Sequence, residues 1–164
     1  MQVDVGFGDS VLPAPERTTV PCLLTGLPAT SMRAYPREVA IAEKYAAMVN
    51  LGIANSRLKD FYDIGYLATS CDFDGERLAA AIRATFERRG TLLPPELPVA
   101  LTPEFAADAR KAVQWQAFCR KARVPGAVPL EEVVKMNAAF LWPVGSIATA
   151  DRGGRWRAGG PWNE

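Results

Sequence analysis

The spacing of apolar residues beyond position 36 constrains the fold most, because it repeats with the period of an α-helix in five successive segments. Steps of three and four residues place side chains on one face of a helix. In the first segment these positions are Val39, Ala42, Tyr45, Ala46 and Val49. Pro36 suits a first helical turn and Gly52 suits a stop, so we predict a helix over residues 36–51.

Four further segments show the same period. They predict helices over residues 58–69, 74–89 and 103–123, and a fifth beginning at Pro129. Asp74 is an expected N-cap, and Gly90 is an expected end of the third helix. The prolines within residues 91–102 predict an extended connection between the third and fourth helices.

The first 35 residues have a different pattern. Val3, Val5 and Phe7 alternate with less apolar residues, which predicts a strand over residues 2–7, and residues 20–24 and 32–35 are further short candidates. Such an early strand would expose an unpaired edge and favour self-association. We therefore expect an α+β, mostly helical chain with a sheet remnant over residues 1–35, a helical region over 36–148, and a Gly-, Arg- and Trp-rich flexible tail over 149–164.

Composition excludes several classes of function. The chain has no histidine, so it contains no Ser-His-Asp or Cys-His system and no histidine metal site. Its three cysteines have no metal or disulfide spacing, and its net charge is only +1. No apolar run approaches ~18 residues, and the N-terminus lacks a signal-peptide pattern. We expect a cytoplasmic protein without a membrane span.

Two isolated charges are candidate site residues. Asp4 lies in an apolar strand, where a carboxylate is costly unless it is exposed, paired or bound to a metal. Lys44 lies between apolar positions of the first helix, where it either marks the solvated edge or holds a phosphate. Spacing alone favours the solvated position in both cases.

The densest group of charges lies at the start of the second helix. Arg57 and Asp60 are at i, i+3, and Lys59 and Asp63 are at i, i+4, so each pair shares a helix face. An acidic first turn with local ion pairs explains Asp60. Arg57 and Lys59 oppose the helix dipole there, and anion binding would resolve that conflict.

Three segments resemble the AbiEii/AbiGii-type nucleotidyltransferase family, the toxin half of bacterial toxin–antitoxin and abortive-infection pairs. Residues 2–9 (Gln-Val-Asp-Val-Gly-Phe-Gly-Asp) resemble its late strand, and residues 35–44 resemble its Tyr-Pro-x-Glu helix start leading to Ala-Glu-Lys. Residues 55–63 (Asn-Ser-Arg-Leu-Lys-Asp-Phe-Tyr-Asp) resemble its Arg-x-Lys-Asp-x-x-Asp motif. The resemblance extends from residue 2 to about residue 143, with the motifs in the family's order.

The resemblance implies the C-terminal part of a polymerase-β-like fold and a set of site residues. Asp4 would be the third catalytic carboxylate and a ligand of Mg²⁺. Lys44, Arg57 and Lys59 would bind the nucleotide, and Lys59, Asp60 and Asp63 would complete the catalytic site, with an aspartate as base or metal-linked group. The family implies transfer from a nucleoside triphosphate to RNA, with the tRNA acceptor end as the expected target, and neutralisation by an antitoxin encoded nearby.

One departure from the family pattern is large. No Gly-Ser motif followed by Asp-x-Asp occurs in residues 1–56, and the later Asp72-Phe73-Asp74 is interpreted as a helix cap. Because a single carboxylate cannot hold two divalent ions, we expect this chain alone to be a truncated, inactive form of the enzyme. The alternative is a non-catalytic remnant that binds nucleotide, RNA or protein.

Overall fold

The computed structural model describes residues 12–22, 24–126, 128–146 and 154–163. The predicted strand over residues 2–7, with Asp4, lies outside the described residues. Asp4 as a catalytic carboxylate and metal ligand, and self-association through that strand, therefore stay predictions.

The described residues form six α-helices and five short strands. The helices are α1 (Arg37–Leu51), α2 (Leu58–Ser70), α3 (Gly75–Arg88), α4 (Pro103–Ala107), α5 (Ala109–Ala122) and α6 (Leu130–Gly145). The strands are β1 (Glu16–Val20), β2 (Thr30–Ala34), β3 (Phe73–Asp74), β4 (Arg155–Trp156) and β5 (Trp162–Asn163). The predicted class, α+β and mostly helical, is confirmed.

The strands belong to two separate antiparallel sheets. β1 and β2 form an exposed hairpin in which Glu16 pairs with Ala34 and Val20 with Thr30. The strand predicted over residues 20–24 is wrong, because β1 ends at Val20. Pro21 follows and has no N–H group to donate to a sheet ladder. An ion pair from Glu16 to Arg77 of α3 joins the hairpin to the helices.

Helix boundaries follow local chemistry. The Asp74 side chain accepts a hydrogen bond from Arg77 N at 3.0 Å, which confirms the predicted cap of α3. Gly90 follows α3 with φ +60°, a left-handed conformation that ends helices at low cost when the residue is glycine. These features explain why the predicted first three helices lie within one or two residues of the observed ones.

The predicted single helix over residues 103–123 is wrong, because the chain breaks at Asp108. This residue has extended dihedral angles, φ −63° and ψ 121°, and caps α5 by accepting from Arg110 N at 2.8 Å and Lys111 N at 3.3 Å. An aspartate side chain competes with the helix for backbone N–H groups. The cap therefore starts a new helix instead of continuing α4.

A single apolar core joins the helices. α1 packs on α3, and α2 packs on α6. The rings of Phe61 and Phe105 stack with centroids 5.0 Å apart, and Tyr45 lies 5.4 Å from Phe86. Phe140 of α6 is also fully buried. This packing places the first turns of α2 against the middle of α1.

The prediction of a flexible tail is wrong for residues 154–163. Trp156 is only 2% exposed and donates from Nε1 to Ala68 O at 2.7 Å. The ring of Trp162 is stacked on Phe140 with 4° between the planes, and its Nε1 donates to Phe140 O. Two indoles that bury large apolar areas with their N–H groups satisfied outweigh the chain entropy of a glycine-rich segment.

Candidate functional site

Lys44 of α1 lies between two carboxylates of α2. Its Nζ donates to Asp60 Oδ1 and to Asp63 Oδ2, and both distances are 2.8 Å. Asp60 and Asp63 are one helical turn apart and both face α1, which is why one ammonium group reaches both. Lys44 is therefore not at a freely solvated edge; its side chain is 21% exposed.

Arg57 and Lys59 cover the outer side of the same carboxylates. Arg57 Nε lies 2.7 Å from Asp60 Oδ2, and Lys59 Nζ lies 2.6 Å from Asp63 Oδ2. Their side chains are 58% and 69% exposed, against 6% for Asp60. The expected local ion pairs are thus present, and we call these five residues, Lys44, Arg57, Lys59, Asp60 and Asp63, the lysine–aspartate cluster.

The charges of the cluster support one another. Partial burial by itself lowers the pKa of Lys44, but hydrogen bonds to Asp60 and Asp63 outweigh burial and hold that pKa above its ordinary value. Burial raises the pKa of Asp63, but its hydrogen bonds from Lys44 and Lys59 outweigh burial and hold the pKa below its ordinary value. Both groups are therefore charged at neutral pH.

The loop before α2 is held by residues that the sequence did not point to. The Asn55 side chain accepts from Arg57 N at 2.8 Å, and its backbone O accepts from Lys111 Nζ at 2.7 Å. Lys111 is 5% exposed and its Nζ lies 5.1 Å from the centre of the Phe105 ring. Because Lys111 is 56 residues from Asn55, no local pattern links it to the site.

A hollow of about 360 Å³ lies at the start of α2, beside the cluster. It is lined by residues 56–59 on one side and by Gln114, Ala117 and Phe118 of α5 on the other. Arg57 and Lys59 thus border an open space as well as the carboxylates. A helix N-terminus carries a partial positive charge that adds to these two cations.

The described residues do not fit a metal centre. Asp60 and Asp63 are bridged by the Lys44 ammonium group, which takes the place that a cation would need. Within the part of the chain that the structure describes, no three cysteine, aspartate or glutamate side chains converge as metal ligands. Asp4, the expected ligand, lies outside that part.

Comparison with known proteins assigns the family. The family model described as nucleotidyl transferase AbiEii toxin, type IV toxin–antitoxin system, matches residues 1–134. The match includes every residue of the lysine–aspartate cluster and the helices α1 to α5. The chain belongs to this family of toxin nucleotidyltransferases, which implies a cognate antitoxin as partner.

Neither a curated protein nor a solved structure matches the chain. Among the described helices, none has both the length and the apolarity needed to cross a membrane.

Proposed function

We propose that this toxin transfers a nucleotide from a nucleoside triphosphate to RNA, with tRNA as the expected target, and that Lys44, Arg57 and Lys59 bind the triphosphate. The observation that carries the proposal is the placement of Lys44 between Asp60 and Asp63, with two exposed cations beside it. Three cations against two carboxylates leave a positive excess next to an open hollow.

The two exposed cations differ in how freely they can change partners. Ion pairs near the surface are worth only about 0.2–1 kcal/mol, so Lys59 can leave the partly exposed Asp63 at small cost. Arg57 pairs with the buried Asp60, which keeps its hydrogen bond from Lys44 if the exposed guanidinium group turns to a phosphate. Charge-assisted hydrogen bonds to phosphate are stronger, and an arginine side chain can make two of them at once. Anionic ligands at the start of α2 also gain from the helix dipole.

The two aspartates serve to position cations in this proposal. Asp63 has a lowered pKa, so it is a weak proton acceptor at neutral pH. Asp60 and Asp63 instead hold Lys44 in its charged form and fix its direction. Mg²⁺ dependence and a catalytic role for Asp4 stay predictions, and no step of the proposal passes through the metal.

The second candidate is a binding protein that retains the nucleotide site without transfer. It is favoured by the ion pairs of Asp60 and Asp63 with Lys44, Arg57 and Lys59, which engage both carboxylates with cations of the chain itself. This form would bind a triphosphate at the same cluster but would not modify RNA.

A binding and transfer assay with labelled nucleoside triphosphate tests both candidates. We expect Lys44→Met to weaken triphosphate binding at least about tenfold, because one charge-assisted contact is worth about 1.5–3 kcal/mol. Lys135→Met, on the exposed face of α6, is the matched control and should bind as the unaltered chain does. Equal affinity of Lys44→Met and the unaltered chain would show that the cluster is not the nucleotide site.

The same assay separates the two candidates. Label incorporated into total tRNA in the presence of Mg²⁺, and lost in Lys44→Met, supports the transferase. Triphosphate binding that depends on Lys44 but gives no incorporation supports the binding protein.

A further inference from the structure

A second hollow, of about 510 Å³, opens between α2, the α5–α6 connection and α6. We call it the aromatic groove. Its walls are mainly apolar and include Tyr62, Tyr66, Trp115, Val133 and Met136. None of these residues belongs to the lysine–aspartate cluster.

Tyr66 offers a flat exposed surface in this groove. Its side chain is 57% exposed, although it lies among apolar neighbours. Its ring lies 6.1 Å from that of Tyr62 with only 23° between the planes, so the two form a short stack. Exposed aromatic faces of this kind are platforms for unpaired nucleobases, because every base has a face that can stack.

Small and polar groups complete the groove. Gly65 lines its floor and adds no side chain, which leaves room beside Tyr66. Glu132 lies on the α6 side, and its carboxylate can accept a hydrogen bond from the exocyclic amino group of a base. The groove therefore combines a stacking surface with an acceptor for base amines.

Cations flank the groove on two sides. Arg120 and Lys121 in the last turn of α5, and Arg123 directly after it, are exposed and precede Val124, which lines the groove. On the other side, the Tyr62 ring lies 5.8 Å from Phe118, which borders the hollow of Arg57 and Lys59. A strand of RNA would thus find positive charge on both sides of a stacking surface.

We propose that the aromatic groove binds an unpaired base of the RNA substrate, with the neighbouring phosphates held by the flanking cations. The inference rests on the proposed function, because it takes RNA as the substrate. The cations favour a polyanion over an apolar peptide. An unpaired base is required because the faces of bases inside a duplex are already stacked.

The test uses the full chain and a labelled single-stranded oligoribonucleotide of ~8 nucleotides, a length within the range that such surfaces bind. We expect Tyr66→Ala to weaken binding about tenfold, measured by fluorescence anisotropy at fixed salt. Tyr66→Phe keeps the stacking face and should bind as the unaltered chain does. Leu92→Ala, at a position that is 85% exposed on the connection after α3, is the control for loss of a surface apolar group.

Three results would overturn the inference. The first is equal affinity of Tyr66→Ala and the unaltered chain for the oligoribonucleotide. The second is equal competition by a fully paired RNA duplex. The third is a Tyr66→Ala variant that retains RNA binding but loses binding of the antitoxin, since this would assign the groove to a protein partner.

Measuring triphosphate binding by the same variants distinguishes failure of this inference from failure of the proposed function. We expect Tyr66→Ala to bind the triphosphate as the unaltered chain does, because Tyr66 lies outside the cluster. If the unaltered chain binds no RNA, both the inference and the RNA target are wrong, while the dependence of triphosphate binding on Lys44 still decides the nucleotide site.

Discussion

The ammonium group of Lys44 donates a hydrogen bond to Asp60 at 2.8 Å, across the interface between α1 and α2. Asp60 is only 4% exposed as a residue, so its carboxylate depends on this contact and on Arg57 for charge compensation. The pair therefore links the stability of the helix packing to the electrostatics of the candidate site.

Lys44→Met should destabilise the protein, because it removes the half-buried cation that hydrogen-bonds the buried Asp60 carboxylate. We expect a loss of about 1–3 kcal/mol in the free energy of unfolding, less than for a fully buried pair, since Arg57 still contacts Asp60. Urea denaturation measures the loss. The double variant Lys44→Met/Asp60→Asn should recover part of the lost free energy of unfolding, because it removes the uncompensated carboxylate charge. If the losses of the two single variants simply add, Lys44 and Asp60 do not stabilise each other.

Protonation of Asp63 should account for part of the fall in the free energy of unfolding at acidic pH. Its pKa is lowered from 3.8 in the folded state, so its stabilisation is fully present above pH 3.8 and is lost as pH falls through the lowered value. Unfolding by urea at several acidic pH values should show a shallower decline for Asp63→Asn than for the unaltered chain. Identical declines would mean that Asp63 is not held in its charged form.

The contacts of Lys44 with Asp60 and Asp63 should also make the free energy of unfolding fall at alkaline pH. The pKa of Lys44 is raised above 10.5 in the folded state, so its stabilisation is complete below pH 10.5 and is lost as pH rises through the raised value. Lys44→Met should remove this part of the alkaline loss in the same urea measurements. A loss of equal steepness in Lys44→Met would assign the alkaline loss to other groups.

Trp156→Ala should be among the most damaging substitutions outside the site. It would empty a core position and remove the indole donor to Ala68 O near the end of α2. We expect a loss of about 3–5 kcal/mol in the free energy of unfolding. The adjacent Arg157→Ala is the control, because its ion pair with Asp72 is exposed on both sides and contributes little to stability. Similar small losses in both variants would show that residues 154–163 do not contribute to the core.

Two glycine-to-alanine substitutions should have opposite effects. A Cβ at Gly145 would lie 2.5 Å from Tyr45 Cε1, and Tyr45 is fully buried, so Gly145→Ala should cost about 1–3 kcal/mol. A Cβ at Gly65 would meet its neighbours at 3.4 Å and 3.5 Å, which is ordinary contact. Gly65→Ala should therefore stabilise α2 by up to about 1 kcal/mol through helix propensity. Thermal denaturation of the two variants checks the prediction, and a destabilised Gly65→Ala would contradict it.

The sequence by itself determined the local features. The helix that carries Lys59, Asp60 and Asp63, with Arg57 directly before it, follows from apolar spacing, and its local ion pairs follow from i, i+3 and i, i+4 spacing. The cap at Asp74 follows from its residue type and position. Asp108 also had a cap residue's chemistry, but the continuous apolar spacing around it concealed the break between α4 and α5.

Only the tertiary structure decided which distant residues meet. Lys44 is 16 residues from Asp60 and 19 from Asp63. Trp156 is 88 residues from Ala68, whose backbone O accepts the hydrogen bond from the indole N–H. Helical periodicity is a property of neighbouring residues, whereas these contacts depend on how α1 packs on α2 and on the space left in the core for an indole. Such packing is set by the assembled helices together, so no single segment of the sequence contains it.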